Sequence, residues 1–201
     1  MGKKRIQTEP RRITGEGCLK YLFFGSFFIG ILLANLSGSK RLLDYGIFNV
    51  YFLKQFEYSS ISYTDLFLYI LETRAPVFLF LAVLGVTELW YLAHVLFVMW
   101  NGGALGFLFV SGISNLGVKG ILLVVLSLVP QYLSYVMLYL ILFFAQQRLH
   151  AKGGRALADR RHGRWAGYLI SCALAAVLLI LGILSETYLN PGIMKGILKI
   201  F

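Results

Sequence analysis

Charged residues are scarce in the middle of this chain of 201 residues. Between positions 75 and 147 the only ones are Glu88 and Lys119. Water-soluble domains cover their surface with charged and polar side chains, so a segment of this length almost without charge excludes a soluble fold. A membrane-spanning helix needs about 20 mostly apolar residues. The segment therefore has room for three crossings.

Cysteine and proline are also rare, with two and four residues respectively. Cys18 lies at the edge of one apolar segment and Cys172 inside another, which indicates two reduced, structurally inert thiols. Hydrophobic residues make up 58% of the chain, and the mean hydropathy is +0.74. Two further apolar segments, residues 19–36 and 166–185, flank the middle one. We therefore predict an all-α integral membrane protein with five transmembrane helices, one of which, in the middle trio, is broken or kinked.

The excess of basic charge is concentrated beside the predicted spans. The net charge is +10, with six of the 19 Lys/Arg at or before Lys20 and six more between positions 148 and 164. Basic residues that flank spans face the cytoplasm. This predicts a multi-pass membrane protein with a cytoplasmic N-terminus and an exterior C-terminus. Nucleic-acid binding is disfavoured, because no soluble domain remains to present a basic surface.

The pattern divides the chain into seven segments. They are a basic cytoplasmic tail (1–18), a first span (19–36), an exterior loop with interfacial helices (37–75), a bundle of the second to fourth spans (76–147), a basic cytoplasmic loop (148–165), a fifth span (166–185) and an exterior tail (186–201). The preferred division of the bundle places turns at residues 100–103 and just before Pro130, so that Gly102, Gly103 and Pro130 mark backbone breaks. A competing division places turns near 88–94 and 114–119, with Pro130 kinking the fourth helix.

The exterior loop carries a stripe of aromatic side chains. Phe48, Tyr51, Phe52 and Phe56 follow the spacing of one helical face. Such helices lie in the membrane interface or bind a partner, and we expect these four residues to contact membrane lipid or exterior partners. A second short helix is predicted to begin after Ser62 and to end before Pro76.

Polar residues inside the middle trio are candidates for packing or transport. They are Glu88, His94, Lys119 and Gln131. A carboxylate at mid-span, as predicted for Glu88, costs free energy of insertion and is therefore a candidate for function. The simpler interpretation is a carboxyl group that fixes helix packing. Lys119 is expected to extend its ammonium group to the membrane interface. Gly102 and Gly106 form a small-xxx-small pair that lets helices approach closely. The spacing gives no catalytic pair and no metal site, so we predict no enzyme activity and no cofactor.

Three segments follow one another from Gly102 onward. They are a glycine-spaced helix, Gly102-x-x-x-Gly106, a Gly-x-Lys-Gly turn, Gly117-Val118-Lys119-Gly120, and an apolar segment that ends in Leu128-Val129-Pro130-Gln131. Near the C-terminus the chain carries Glu-x-x-x-Asn-Pro, here Glu186, Asn190 and Pro191. These segments and their order resemble the stage II sporulation protein M family, which shows a Leu-Pro-Gln ending of the apolar segment and a similar C-terminal motif.

The resemblance implies a non-enzymatic scaffold in the cell membrane of an endospore-forming bacterium. Such proteins assemble with stage II sporulation proteins D and P, which cut peptidoglycan during engulfment of the forespore. The residues themselves leave homo-oligomerisation open. They also leave open a second function, that of a small permease-like subunit of a transporter, for which Glu88 would line the pathway.

Overall fold

The computed structural model describes residues 15–36, 55–56, 60–151 and 158–199, and these residues are helical apart from short turns. Among these described residues, five helices are long and apolar enough to cross a membrane. They are α1 (Gly15–Leu36), α2 (Tyr63–Leu84), α3 (Trp90–Leu116), α4 (Val118–His150) and α5 (Ala158–Leu184). A π-helical turn, Ser185–Leu189, joins α5 to α6 (Asn190–Leu198). The predicted all-α fold with five spanning helices is confirmed, and it fits a multi-pass membrane protein.

The turns of the middle trio do not follow the preferred division. α2 and α3 are joined by residues 85–89, and α3 and α4 by Gly117 alone. Gly117 has a φ of 61°, which a residue without a Cβ adopts at little cost. The turns at 100–103 and before Pro130 were therefore wrong, and the competing division had both turns in nearly the right places.

Proline and glycine inside these helices do not break them. α4 runs through Pro130 and α3 runs through Gly102 and Gly103 without interruption. Membrane helices tolerate such residues because neighbouring helices and local adjustments support the backbone. A bend at Pro130 stays a prediction. The boundary at Pro76 was also wrong: α2 begins after its N-cap Ser62 and runs through Pro76.

Close contact between α1 and α3 depends on glycine. A Cβ placed on Gly102 would overlap Ser26 of α1, and one on Gly106 would overlap the backbone carbonyl of Phe27. A Cβ on Gly30 would overlap the backbone of Gly103. The two helices therefore pack backbone against backbone, and α1 touches the rest of the bundle chiefly through α3.

α4 is the central helix of the bundle. Leu138 and Leu142 are fully buried and form one apolar core with residues of α2, α3 and α5. Farther toward Gly117, Leu123 and Val124 pack against Ile197 of α6. Of the residues predicted as an exterior tail, 186–198 are helical: they complete the π turn and form α6, which pack along the first half of α4.

Polar side chains cover the C-terminal end of α2. The last carbonyls of a helix have no partner within it. Here Gln146 Nε2 donates to the carbonyl of Leu81 at 3.0 Å, and Tyr168 donates to that of Ala82. His150 Nε2 lies 2.9 Å from the carbonyl oxygen of Gly85. We call this part of the bundle the His150 end.

Candidate functional site

A cluster of polar groups joins α2, α4 and the π turn inside the bundle. Arg74 of α2 forms an ion pair with Glu186, with Nη2 2.9 Å from Oε1 and Nε 3.3 Å from Oε2. The hydroxyl of Tyr135 of α4 donates to Glu186 Oε2 at 2.7 Å. The Arg74 guanidinium also lies 5.2 Å from the centre of the Tyr135 ring. One carboxylate therefore holds three segments of the chain.

The π turn determines where Glu186 points. Its wider helical turn is closed by a hydrogen bond from the backbone N–H of Asn190 to the carbonyl of Ser185. Pro191 follows at once and lacks the N–H that an α-helix would donate to Thr187. The Thr187 hydroxyl donates to the carbonyl of Ile183 at 2.8 Å and is fully buried. Such π turns often occur at functional sites, because they shift a side chain out of the regular helical register.

A second polar contact continues the cluster toward Gly117. Asn190 Nδ2 donates to Gln131 Oε1 at 3.5 Å, a long hydrogen bond, and Gln131 is 5% exposed. Asn190 Oδ1 is buried and accepts no hydrogen bond from the described residues. The contact places the Pro130-Gln131 segment beside the Glu186-to-Pro191 segment. Two motifs that are 55 positions apart at Gln131 and Glu186 thus meet at one site.

The electrostatics of the cluster favour a structural role for the Arg74–Glu186 pair over a catalytic one. The Arg74 side chain is 40% exposed and the Glu186 side chain only 14%. Both Glu186 oxygens accept hydrogen bonds from charged or polar donors, which keeps the carboxylate occupied. A partly buried ion pair of this kind contributes little net stability, but removing one partner leaves an uncompensated charge. The arrangement fixes the relative positions of three helical segments.

The other predicted polar residues are dispersed. Glu88 lies exposed in the turn between α2 and α3, so its expected place at mid-span was wrong. Lys119 is exposed in the first turn of α4. His94 is 2% exposed, lies against Phe143, and its Nδ1 is 3.0 Å from the carbonyl oxygen of Trp90. None of the three belongs to the cluster.

The predicted aromatic stripe lies largely outside the described residues. Phe48, Tyr51 and Phe52 are among the residues that the structure does not describe. Phe56 is half-buried, and Lys195 Nζ of α6 lies 5.9 Å from the centre of its ring. At least this aromatic residue therefore contacts the chain itself.

Sequence reasoning missed Arg74 and Tyr135. Arg74 was assigned to the end of the exterior loop, and Tyr135 has no motif around it. A signal for Arg74 exists only with the competing division, in which a turn near Glu88 leaves 13 residues, 75–87, after Arg74. That length is too short to cross a bilayer, so the span would have to include Arg74.

Fold and site together define a five-span, all-helical membrane protein with an internally neutralised polar cluster. Within the described residues, no three His, Cys, Asp or Glu side chains come together as metal ligands. Comparisons of this chain with protein-family models, with curated proteins and with solved structures found no match. The resemblance to the stage II sporulation protein M family therefore stays a prediction.

Proposed function

We propose that this protein is a non-enzymatic scaffold of a bacterial cell membrane that holds peptidoglycan-remodelling partners on its exterior side. By resemblance, the partners are stage II sporulation proteins D and P, acting in forespore engulfment. In this proposal the N-terminus is cytoplasmic and the C-terminus is exterior, as the basic clusters at 3–20 and 148–164 favour. Homo-oligomers are compatible with it.

One observation carries the proposal. The two motif segments that resemble the family, Pro130-Gln131 and Glu186 to Pro191, meet through Gln131 and Asn190 beside the Arg74–Glu186 ion pair. The contact supports a structural role for the motifs, because it fixes α6 along α4. A fixed helical frame is what a scaffold needs in order to present an exterior segment in one orientation.

The test is affinity capture from native membranes after chemical cross-linking. The variant is Phe48→Ala with Phe52→Ala, and the matched control is Glu88→Gln, which changes an exposed turn residue at the His150 end. Aromatic interface anchors typically cost about 2 kcal/mol when truncated, or roughly thirtyfold in affinity. We expect the loop variant to lose cell-wall hydrolases and the control to keep them. Equal recovery from both variants would contradict the scaffold.

A permease-like subunit is the second candidate, and the partly buried Arg74–Glu186 ion pair within the helical bundle is the observation that favours it. Ionisable groups within spanning helices commonly mark substrate or proton pathways. In that case Glu186→Gln should abolish uptake of the substrate while the protein still inserts at normal levels. The scaffold proposal instead expects Glu186→Gln to lower thermal stability and to leave membrane transport unchanged.

A further inference from the structure

α2 cannot cross a bilayer with uncharged residues alone. Its uncharged C-terminal part, residues 75–84, is ten residues long, or about 15 Å as a helix. The hydrocarbon core of a bilayer is about 30 Å thick. If α2 spans it, as its length and composition allow, the segment that holds Glu72 and Arg74 must also enter the membrane.

The two charged residues of this segment have different surroundings. Arg74 turns inward and pairs with Glu186. Glu72, two residues earlier, lies about 160° around the helix and is exposed on the outside of the bundle. Among the described residues it forms neither a hydrogen bond nor an ion pair. Within the described part of the chain, α2 therefore presents two unpaired carboxylates on its outer face, Glu72 and, two helical turns nearer the start of the helix, Asp65.

The surface around Glu72 is apolar. Its neighbours on the same face of α2 are exposed by 50–67%. They are Leu68, Tyr69, Leu79, Phe80 and Val83. A face of this composition suits the membrane interior, and the carboxylate at its centre does not, unless a donor meets it there.

A groove adjoins this face. α2 and α3 follow each other in sequence but contact each other little, and they leave an apolar groove of about 350 Å³ between them. Phe80 borders both the groove and the Glu72 face. The other wall includes Leu92, Leu96 and Trp100 of α3, and Trp100 is 78% exposed.

We propose that the Glu72 face, which the groove borders at Phe80, seats a transmembrane helix of a partner protein that carries an Arg or Lys at the depth of Glu72. Charge complementarity selects this occupant, because the chain already satisfies its own Arg74. A second copy fits less well, since a two-fold axis normal to the membrane would bring two Glu72 carboxylates together. The surface lies within the membrane and does not depend on the exterior partners proposed above.

The test uses the full-length protein in phosphatidylcholine vesicles with synthetic transmembrane helices. The probe is a leucine–alanine helix of about 20 residues with one Arg at the depth of Glu72, and matched helices carry Leu or Glu there. Association is measured by energy transfer between dyes on the protein and the helix. Interhelical polar contacts in membranes change association by about three- to fifteenfold. We expect the protein to associate with the Arg helix more strongly than with the Leu helix by a factor in this range.

Three variants separate the outcomes. Glu72→Gln should remove the preference, Glu72→Lys should transfer it to the Glu helix, and Asp65→Asn, a carboxylate nearer the start of α2, should keep it. The proposal is overturned by equal association of the Arg and Leu helices with the unaltered protein. It is also overturned by a preference that survives Glu72→Gln, by Glu72-dependent self-association without peptide, or by loss of the preference when phosphatidylethanolamine supplies a headgroup ammonium.

Discussion

Arg74 and Glu186 lie 112 positions apart in the chain and form an ion pair with an N–O distance of 2.9 Å. One was predicted to lie in an exterior loop and the other in an exterior tail. Their contact instead joins α2 to the π turn that follows α5, and Tyr135 of α4 donates to the same carboxylate. The cluster thereby links three helical segments that sequence alone keeps separate.

The ion pair should show strong coupling in a double-mutant cycle. Arg74→Leu leaves Glu186 14% exposed and uncompensated, so we expect a loss of about 1–3 kcal/mol, reduced from the fully buried value because Arg74 is 40% exposed. Arg74→Leu with Glu186→Leu should cost less than either single change. The measurement is thermal unfolding of the purified protein in detergent. Additive losses would contradict a coupled pair.

The Tyr135 hydroxyl should contribute separately from its ring. Tyr135→Phe keeps the ring beside Arg74 but removes the donor to Glu186, and hydrogen bonds to charged groups contribute about 1.5–3 kcal/mol. Tyr132→Phe, one helical turn away on α4, is the matched control and should change stability by less. Both are measured by the same unfolding assay. If Tyr132→Phe lowered stability more than Tyr135→Phe, the Tyr135 hydroxyl would not be a stabilising part of the cluster.

Close packing of α1 on α3 should fail when a side chain is added at Gly30. Gly30→Val forces the two backbones apart, because even a Cβ would overlap the backbone of Gly103. Gly25→Val, on the same helix, meets nothing within 4 Å and serves as the control. Disulfide cross-linking between cysteines introduced into α1 and α3 should be lost in the first variant and kept in the second. Unchanged cross-linking in Gly30→Val would contradict the packing.

The turns and the orientation can be tested by thiol labelling in a background without Cys18 and Cys172. A cysteine at Glu88 should be accessible, because residues 86–89 of the turn are exposed. A cysteine at Gly103, where a Cβ would meet only the Ser26 carbonyl of α1 at 3.7 Å, should be protected between α3 and α1. With the proposed orientation, Ser39→Cys should be labelled from outside, and Ala156→Cys and Glu88→Cys only from inside. Labelling of position 156 from outside would reverse the orientation.

The sequence predicted the class and number of spans because both depend on local composition. Uncharged segments of spanning length are visible without knowledge of neighbours, since each helix must satisfy its own backbone in the membrane. The positions of the turns were harder to predict. Gly102 and Gly103 resemble a turn in one dimension, but α1 packs against them, and such a contact leaves no local mark in the sequence. Gly117, in a conformation with positive φ, ends α3, and Gly85 ends α2.

The amino-acid sequence by itself determined that this chain is an all-helical membrane protein with five spans, because burial in lipid selects for long apolar helices. Only the tertiary structure decided which polar residues meet. Gln131 and Asn190, singled out in separate motifs, form a hydrogen bond, and Arg74 forms an ion pair with Glu186. Both contacts arise because α5 and α6 run back along α4 and place the π turn beside α2. Contacts between such distant positions depend on how the helices pack, and helix packing depends on the shapes of whole surfaces rather than on any local pattern.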